Sequence, residues 1–197
     1  LDCCFGDSAA IAALLDDVKQ EDFTACVSAM GGDSGPHHAT ADDGDALYRR
    51  SVYTFWKRTS PPPSMAAFNA PTREQCTVRR ERTNTPLQAL VMMNDPQYIE
   101  AARHLAERSI AQHKDDMSRV RWMLENVLCR PAAEFDVKES MLAAAAFLEI
   151  FAADKEAAAK LIVTGDSKPN PKLDAAEVAA WTMVANMLMN RDDYINK

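Results

Sequence analysis

The sequence predicts a mainly α fold: a helical bundle-like domain with one short extended or β segment and a long irregular proline-rich loop. Three observations predict it. Apolar residues recur at three- and four-residue spacing through most of the chain after Thr85. Thr, Asp and Pro stand where helices begin, and strand-like alternation is confined to a stretch near residue 50. With 197 residues, 47% of them hydrophobic, the chain has enough apolar mass for a real core.

The first expected element runs from Ser8 to Gln20, where Ile11, Leu14, Leu15 and Val18 keep helical spacing behind Asp7 or Ser8 as cap. The text "GGDSGPHHATADDGD" that follows Met30 has almost nothing to bury and reads as a mobile loop. From Leu47 the character changes. "LYRRSVYTFWKR" is aromatic and β-branched, with Val52, Thr54 and Trp56 alternating against Tyr53, Phe55 and Lys57, which predicts a short strand or extended segment. In "TSPPPSMAAFNAPTRE", Pro61, Pro62 and Pro63 fix φ and remove donors, so an irregular, polyproline-like path is expected.

At "TNTPLQALVMMNDP" the helices begin in earnest. Thr85 at the N-cap, Pro86 at N1 and Gln88 at N3 form a capping box, and the first helix breaks at "NDP", where Asp95 caps a second with Pro96 again at N1. The first of these helices is expected to turn Leu87, Leu90 and Val91 inward. The second, to about Gln112, groups Tyr98, Ala102, Leu105 and Ser109 beside Ile99, Ala106 and Ile110, and leaves Glu100, Arg103, Glu107 and Arg108 outside. Val120, Met123, Leu124 and Val127 mark the next helix, and Met141, Leu142, Ala145, Leu148 and Phe151 the one after. Asp154 caps a short helix over "KEAAAKLIV", "TGDSKPNPK" is a loop, and Asp174 caps a last helix that buries Val178, Trp181, Ala185 and Leu188.

Charge divides the chain. The net charge is -7, yet residues 1–46 hold ten acidic residues against one Lys, while residues 47–84 hold eight Lys and Arg against two Glu. The expected organisation is therefore an acidic N-terminal arm, 1–46, with one helix and a loop, followed by a helical domain, 47–197. No run is long and apolar enough for a membrane helix. A chain that opens on Leu1 reads as a trimmed or partial product, so an upstream targeting segment stays open. The five cysteines form no CxxC, which encodes neither a zinc knuckle nor a haem attachment, and Cys76 and Cys129 are expected to be core or near-core thiols.

Few constellations carry chemistry. "GGDSGP" at 31–36 matches a serine-protease loop in letters only, because that chemistry needs a His and an Asp delivered by a β scaffold. His37 and His38 with Asp33, Asp42, Asp43 and Asp45 fit no metal-binding spacing, so no metal and no cofactor are expected. The basic block carries the one ligand-binding candidate set: Arg49, Arg50, Trp56, Lys57, Arg58, Arg79, Arg80, Arg82 and Asn84. Guanidinium forks grip carboxylate, phosphate or sulfate at two points, and exposed aromatics stack on sugar faces. The competing explanation is structural, with aromatics in the core and arginines paired to Glu74, Glu81 and the acidic arm. Overall acidity and the lack of a binding motif argue against nucleic acid. No catalytic residue is assigned, and Thr85, Gln88 and Asp95 are structural caps.

From Tyr48 to Arg108, "YRRSVYTFWKRTSPPPSMAAFNAPTREQCTVRRERTNTPLQALVMMNDPQYIEAARHLAER", the chain resembles the PSD family. This is a domain of unknown function at the C-terminus of large planctomycete cytochrome c domain proteins. The resemblance continues through "DAAEVAAWTMVANMLMNRDDY" and so runs from about Leu47 to Lys197. Asn69 stands where the family commonly has Asp, and Met92-Met93 replaces a Leu pair. The resemblance implies a periplasmic or cell-surface setting and sibling domains or subunits of a cytochrome c-containing protein as partners, but no reaction. Two functions follow as expectations: a noncatalytic module for docking or assembly, or binding or processing of anionic polysaccharide, sulfated or uronic, through the arginine and aromatic residues.

Overall fold

The computed structural model describes residues 63–72, 74–79 and 81–195. Eight helices and no strand occur among them: α1 (Pro63–Ala67), α2 (Pro86–Asn94), α3 (Pro96–Gln112), α4 (Asp116–Leu128), α5 (Glu134–Ala153), α6 (Lys155–Ile162), α7 (Ala175–Met189) and α8 (Asp192–Ile195). The fold is mainly α. The expected helix over 8–20, the loop over 31–45 and the extended segment over 47–58 lie outside the described residues.

Local chemistry accounts for where these helices start. At α2 the Gln88 amide N–H donates to Thr85 Oγ1 at 3.3 Å, and the Thr85 amide returns a bond to Gln88 Oε1 at 2.9 Å, completing the capping box. Asp95 accepts from the Gln97 amide at 2.9 Å and opens α3. Asp115, Asp154 and Asp174 cap α4, α6 and α7 in the same manner. Cys129, at φ 49°, closes α4 in the left-handed region.

Helix α7 is the axis of the assembly. Residues Val178 to Trp181, then Thr182, Val184, Ala185, Asn186, Leu188 and Met189, are all buried, so this helix has no solvent face over most of its length. Helices α3, α5 and α6 pack around it, and α4 closes against α5 and α3. The larger cluster joins Met92, Val120, Met123, Leu124, Val127 and Val137 to Trp181, Val184 and Leu188. The smaller gathers Ile99, Phe151, Ala158 and Leu161 around Ala179 and Ala180 on another side of α7. Phe151, Leu124, Leu161 and Leu188 are almost wholly removed from water, and each contributes about 1.5–3 kcal/mol by that burial.

Five expectations are corrected. The proline-rich segment is not wholly irregular: Pro63–Ala67 is helical, because proline at N1 lacks only a donor that the helix would not use. In α2, Gln88 and Met92 point inward while Leu87 and Leu90 are exposed. The capping box fixes the rotation of that short helix about its axis, and the amide of Gln88 has inward partners. In α3, Glu100 and Arg103 are buried rather than outside, at 2% and 0% exposure. In α5 the inward face is Val137, Ser140, Ala143, Ala144 and Phe151, so Leu142 and Ala145 face out. A helix apolar on every side offers its periodicity no single answer. Finally, Cys76 and Cys129 are both exposed.

Candidate functional site

The candidate basic region follows α1. That helix ends in a Schellman arrangement: the Ala70 amide donates to Met65 O at 2.9 Å and the Asn69 amide to Ala66 O at 3.1 Å, with Asn69 at φ 53°. A left-handed C′ position tolerates Asn well. The Asn69 side-chain amide then donates to Thr83 Oγ1 at 2.6 Å, and the buried Gln88 amide donates to both Thr83 Oγ1 at 3.0 Å and Ala67 O at 2.9 Å. Gln88 therefore works on three fronts. It completes the cap of α2, holds the end of α1, and returns the intervening chain to its starting point.

Between these clamps the described residues, 71–72, 74–79 and 81–82, are exposed, Arg79 and Arg82 among them beside Glu74 and Glu81. Asn84 is also exposed and donates its side-chain amide to Asp192 Oδ1 at 2.9 Å, which ties this strip to α8. Arg49, Arg50, Trp56, Lys57, Arg58 and Arg80 lie outside the described residues. The structure thus brings Arg79, Arg82 and Asn84 onto one solvent-facing stretch and places Thr85, Gln88 and Asp95 as caps.

A cluster that sequence reasoning missed sits on α3 against the loop before α7. The Glu100 carboxylate accepts from the Asp166 amide at 3.1 Å, the Ser167 amide at 2.7 Å and the Ser167 hydroxyl. Arg103 donates through Nη2 to Ser167 O at 2.9 Å and Ser167 Oγ at 2.6 Å, and through Nη1 to Glu107 Oε1 at 3.3 Å. Gly165 makes the approach possible: at φ 105°, a Cβ built there would stand 2.6 Å from Glu100 Oε2. The only sequence signal was the Gly in "TGDS", because side chains that look outward on a helical wheel give no hint of a loop folding over them.

His104 Nε2 lies 2.8 Å from Ser167 Oγ and its Nδ1 3.7 Å from Glu107 Oε2, the order of a serine, a base and a carboxylate. The Ser167 hydroxyl is shared with the buried Glu100 and Arg103 side chains, and the Ser167 amide is itself held by Glu100. The cluster fastens a loop to a helix.

Two further charged groups serve the same end. Arg119 donates to His113 O at 2.8 Å, Asp116 Oδ1 at 3.1 Å and Glu177 Oε1 at 2.7 Å, while its guanidinium covers the Trp181 ring at 5.5 Å. Near the C-terminus, Arg130 bonds Asp193 at 3.0 Å and Asp136 at 3.3 Å, and Arg191 bonds Asp136 at 3.0 Å. Arg130 holds the Asp193 carboxyl below the usual carboxylate range, chiefly through that hydrogen bond and against partial desolvation. Among the described residues, no three His, Cys, Asp or Glu side chains gather where they could hold a metal ion. No helix among them is long and apolar enough to cross a membrane.

Comparison with known proteins gives one match. The family model PSD1, described as a protein of unknown function (DUF1553), matches residues 7–143. That span begins inside the acidic segment and ends within α5, whereas the resemblance read from the sequence ran from Leu47 to Lys197. No curated protein and no solved structure matches the chain. A match over more than half of its length, including the capping box and the polar clamp at Gln88, establishes that the chain belongs to the PSD1 (DUF1553) family.

Proposed function

We propose that the chain is a noncatalytic helical module that docks onto sibling domains or subunits of an exported, cytochrome c-containing protein, with residues 1–46 as an acidic arm and 47–197 as the helical domain. One observation carries the docking reading: α5 leaves Phe135 and Leu142, 56% and 57% exposed, two turns apart on one face, with Ala145 exposed beyond them. Large side chains at that spacing form an anchor line for a partner. The polar clusters support the noncatalytic part, because their donors and acceptors are largely spent on holding loops to helices. The identity of the partner rests on the family resemblance. In a pull-down with the sibling cytochrome c domain, the chain is expected to retain it and a Phe135→Asp/Leu142→Asp variant to lose it. No retention by the unaltered chain defeats the reading.

The second reading, binding or processing of anionic polysaccharide, is favoured by the exposure of Arg79 and Arg82. It would draw on Arg49, Arg50, Trp56, Lys57, Arg58 and Arg80 as the rest of a cationic, aromatic surface. Sulfated and uronic polymers on an array at low salt are its test, and absence of signal there removes it.

A further inference from the structure

We propose that the uncovered face of α2 is a docking surface for the chain's own residues 47–58, an inference that does not depend on the α5 docking reading. Leu87, Leu90 and Met93 are 59%, 57% and 48% exposed, at positions i, i+3 and i+6 of one helix. The nine residues "PLQALVMMN" contain no charged side chain. A helix face meant for water ordinarily carries charged or polar groups, as α3 does at His104 and Arg108. Here the side turned away from the core is as apolar as the side turned toward it.

Composition and reach identify the occupant. Residues 47–58 hold Leu47, Tyr48, Val52, Tyr53, Phe55 and Trp56, the richest aromatic run in the chain before residue 63. Their tether is short and its far end is fixed. α1 packs on α2, and Gln88 at the start of α2 holds Ala67 O at 2.9 Å. The six residues between Trp56 and Pro63 span up to about 20 Å, and α2 is about 14 Å long. So the aromatic run is held close to the bare face at high local concentration. The segment's cations, Arg49, Arg50, Lys57 and Arg58, would stay at the edges in water, their stems lying along the apolar strip. The other apolar segment, 8–20, is more than forty residues from α1 and gains no such advantage from its tether.

A benzophenone side chain introduced at position 90 of the full chain tests the assignment. Irradiation of dilute protein should give monomer in which the α2 peptide is joined to the 47–58 peptide. Joining to 8–20, a crosslinked dimer, or no internal adduct overturns it. Amide exchange supplies a second measurement. Because Leu90 is exposed, Leu90→Asp should leave protection in α3 to α7 intact while exchange in 47–58 accelerates about tenfold or more; unchanged exchange in 47–58 also overturns the proposal.

Discussion

Gly165 shows how much can depend on a missing methyl group. Its φ of 105° is open to glycine and strained for other residues, and Glu100 occupies the space a Cβ would need. Gly165→Ala must either move the loop or push the carboxylate off two backbone amides. A loss of about 1–3 kcal/mol is expected, read from the denaturant midpoint; a variant as stable as the parent would mean that the loop is not held by Glu100. Asp193 is the residue with a pH signature. Its carboxyl is held low by the hydrogen bond from Arg130, with the charges of Arg130 and Arg191 adding to the effect. Such a group stabilises the fold fully above its unfolded value, near 4, and the contribution disappears as pH falls through the lower folded value. Thermal midpoints of the parent should therefore fall more than those of Asp193→Asn between about pH 5 and 3. The difference should be small, since both partners are about half exposed.

At the scale of elements, caps decide where helices begin and buried polar groups decide how they are turned. The five starts at Thr85, Asp95, Asp115, Asp154 and Asp174 each use a side-chain oxygen on a backbone amide, and four of them, all but Asp115, were assigned as caps from the sequence, with the helix after Asp115 recognised by its apolar spacing. Thr85→Ala removes one half of the capping box and should cost about 0.5–2 kcal/mol, measured by the melting transition. Rotation was less legible. Leu87 and Leu90 look like core residues by type, yet Gln88 needs Thr83 and Ala67 on the inward side, and the apolar residues turn out with it. In α3 a similar inversion buries Glu100 and Arg103, because a loop more than sixty residues away supplies their partners. Neither partner can be read from local spacing.

For the whole molecule the decisive feature is that the two hydrophobic clusters share helices α3, α5 and α7, with α7 packed most fully into both. Trp181 and Leu188 lie in the first and Ala179 and Ala180 in the second, all on α7. Neither cluster can open without exposing that helix, so the described helices should unfold in one transition with coincident spectroscopic probes. Trp181→Ala removes a ring that is 1% exposed and covered by Arg119; it should lower stability by about 3–5 kcal/mol while keeping a single transition. Two separate transitions would show that the clusters are independent. While α7 is buried along most of its length, α5 and α2 leave Phe135, Leu142, Leu87 and Leu90 exposed.

By itself the sequence determined the helical class, the caps at Thr85, Asp95, Asp154 and Asp174, the stripe of α7 and family membership, because capping and periodicity act between residues at most a few positions apart. The inward turn of Gln88, the burial of Glu100 and Arg103, the exposure of Cys76 and Cys129, and the outward Phe135 and Leu142 were decided only by tertiary structure. Each depends on which distant segment arrives to satisfy or cover a side chain, and that is a property of packing rather than of local chemistry.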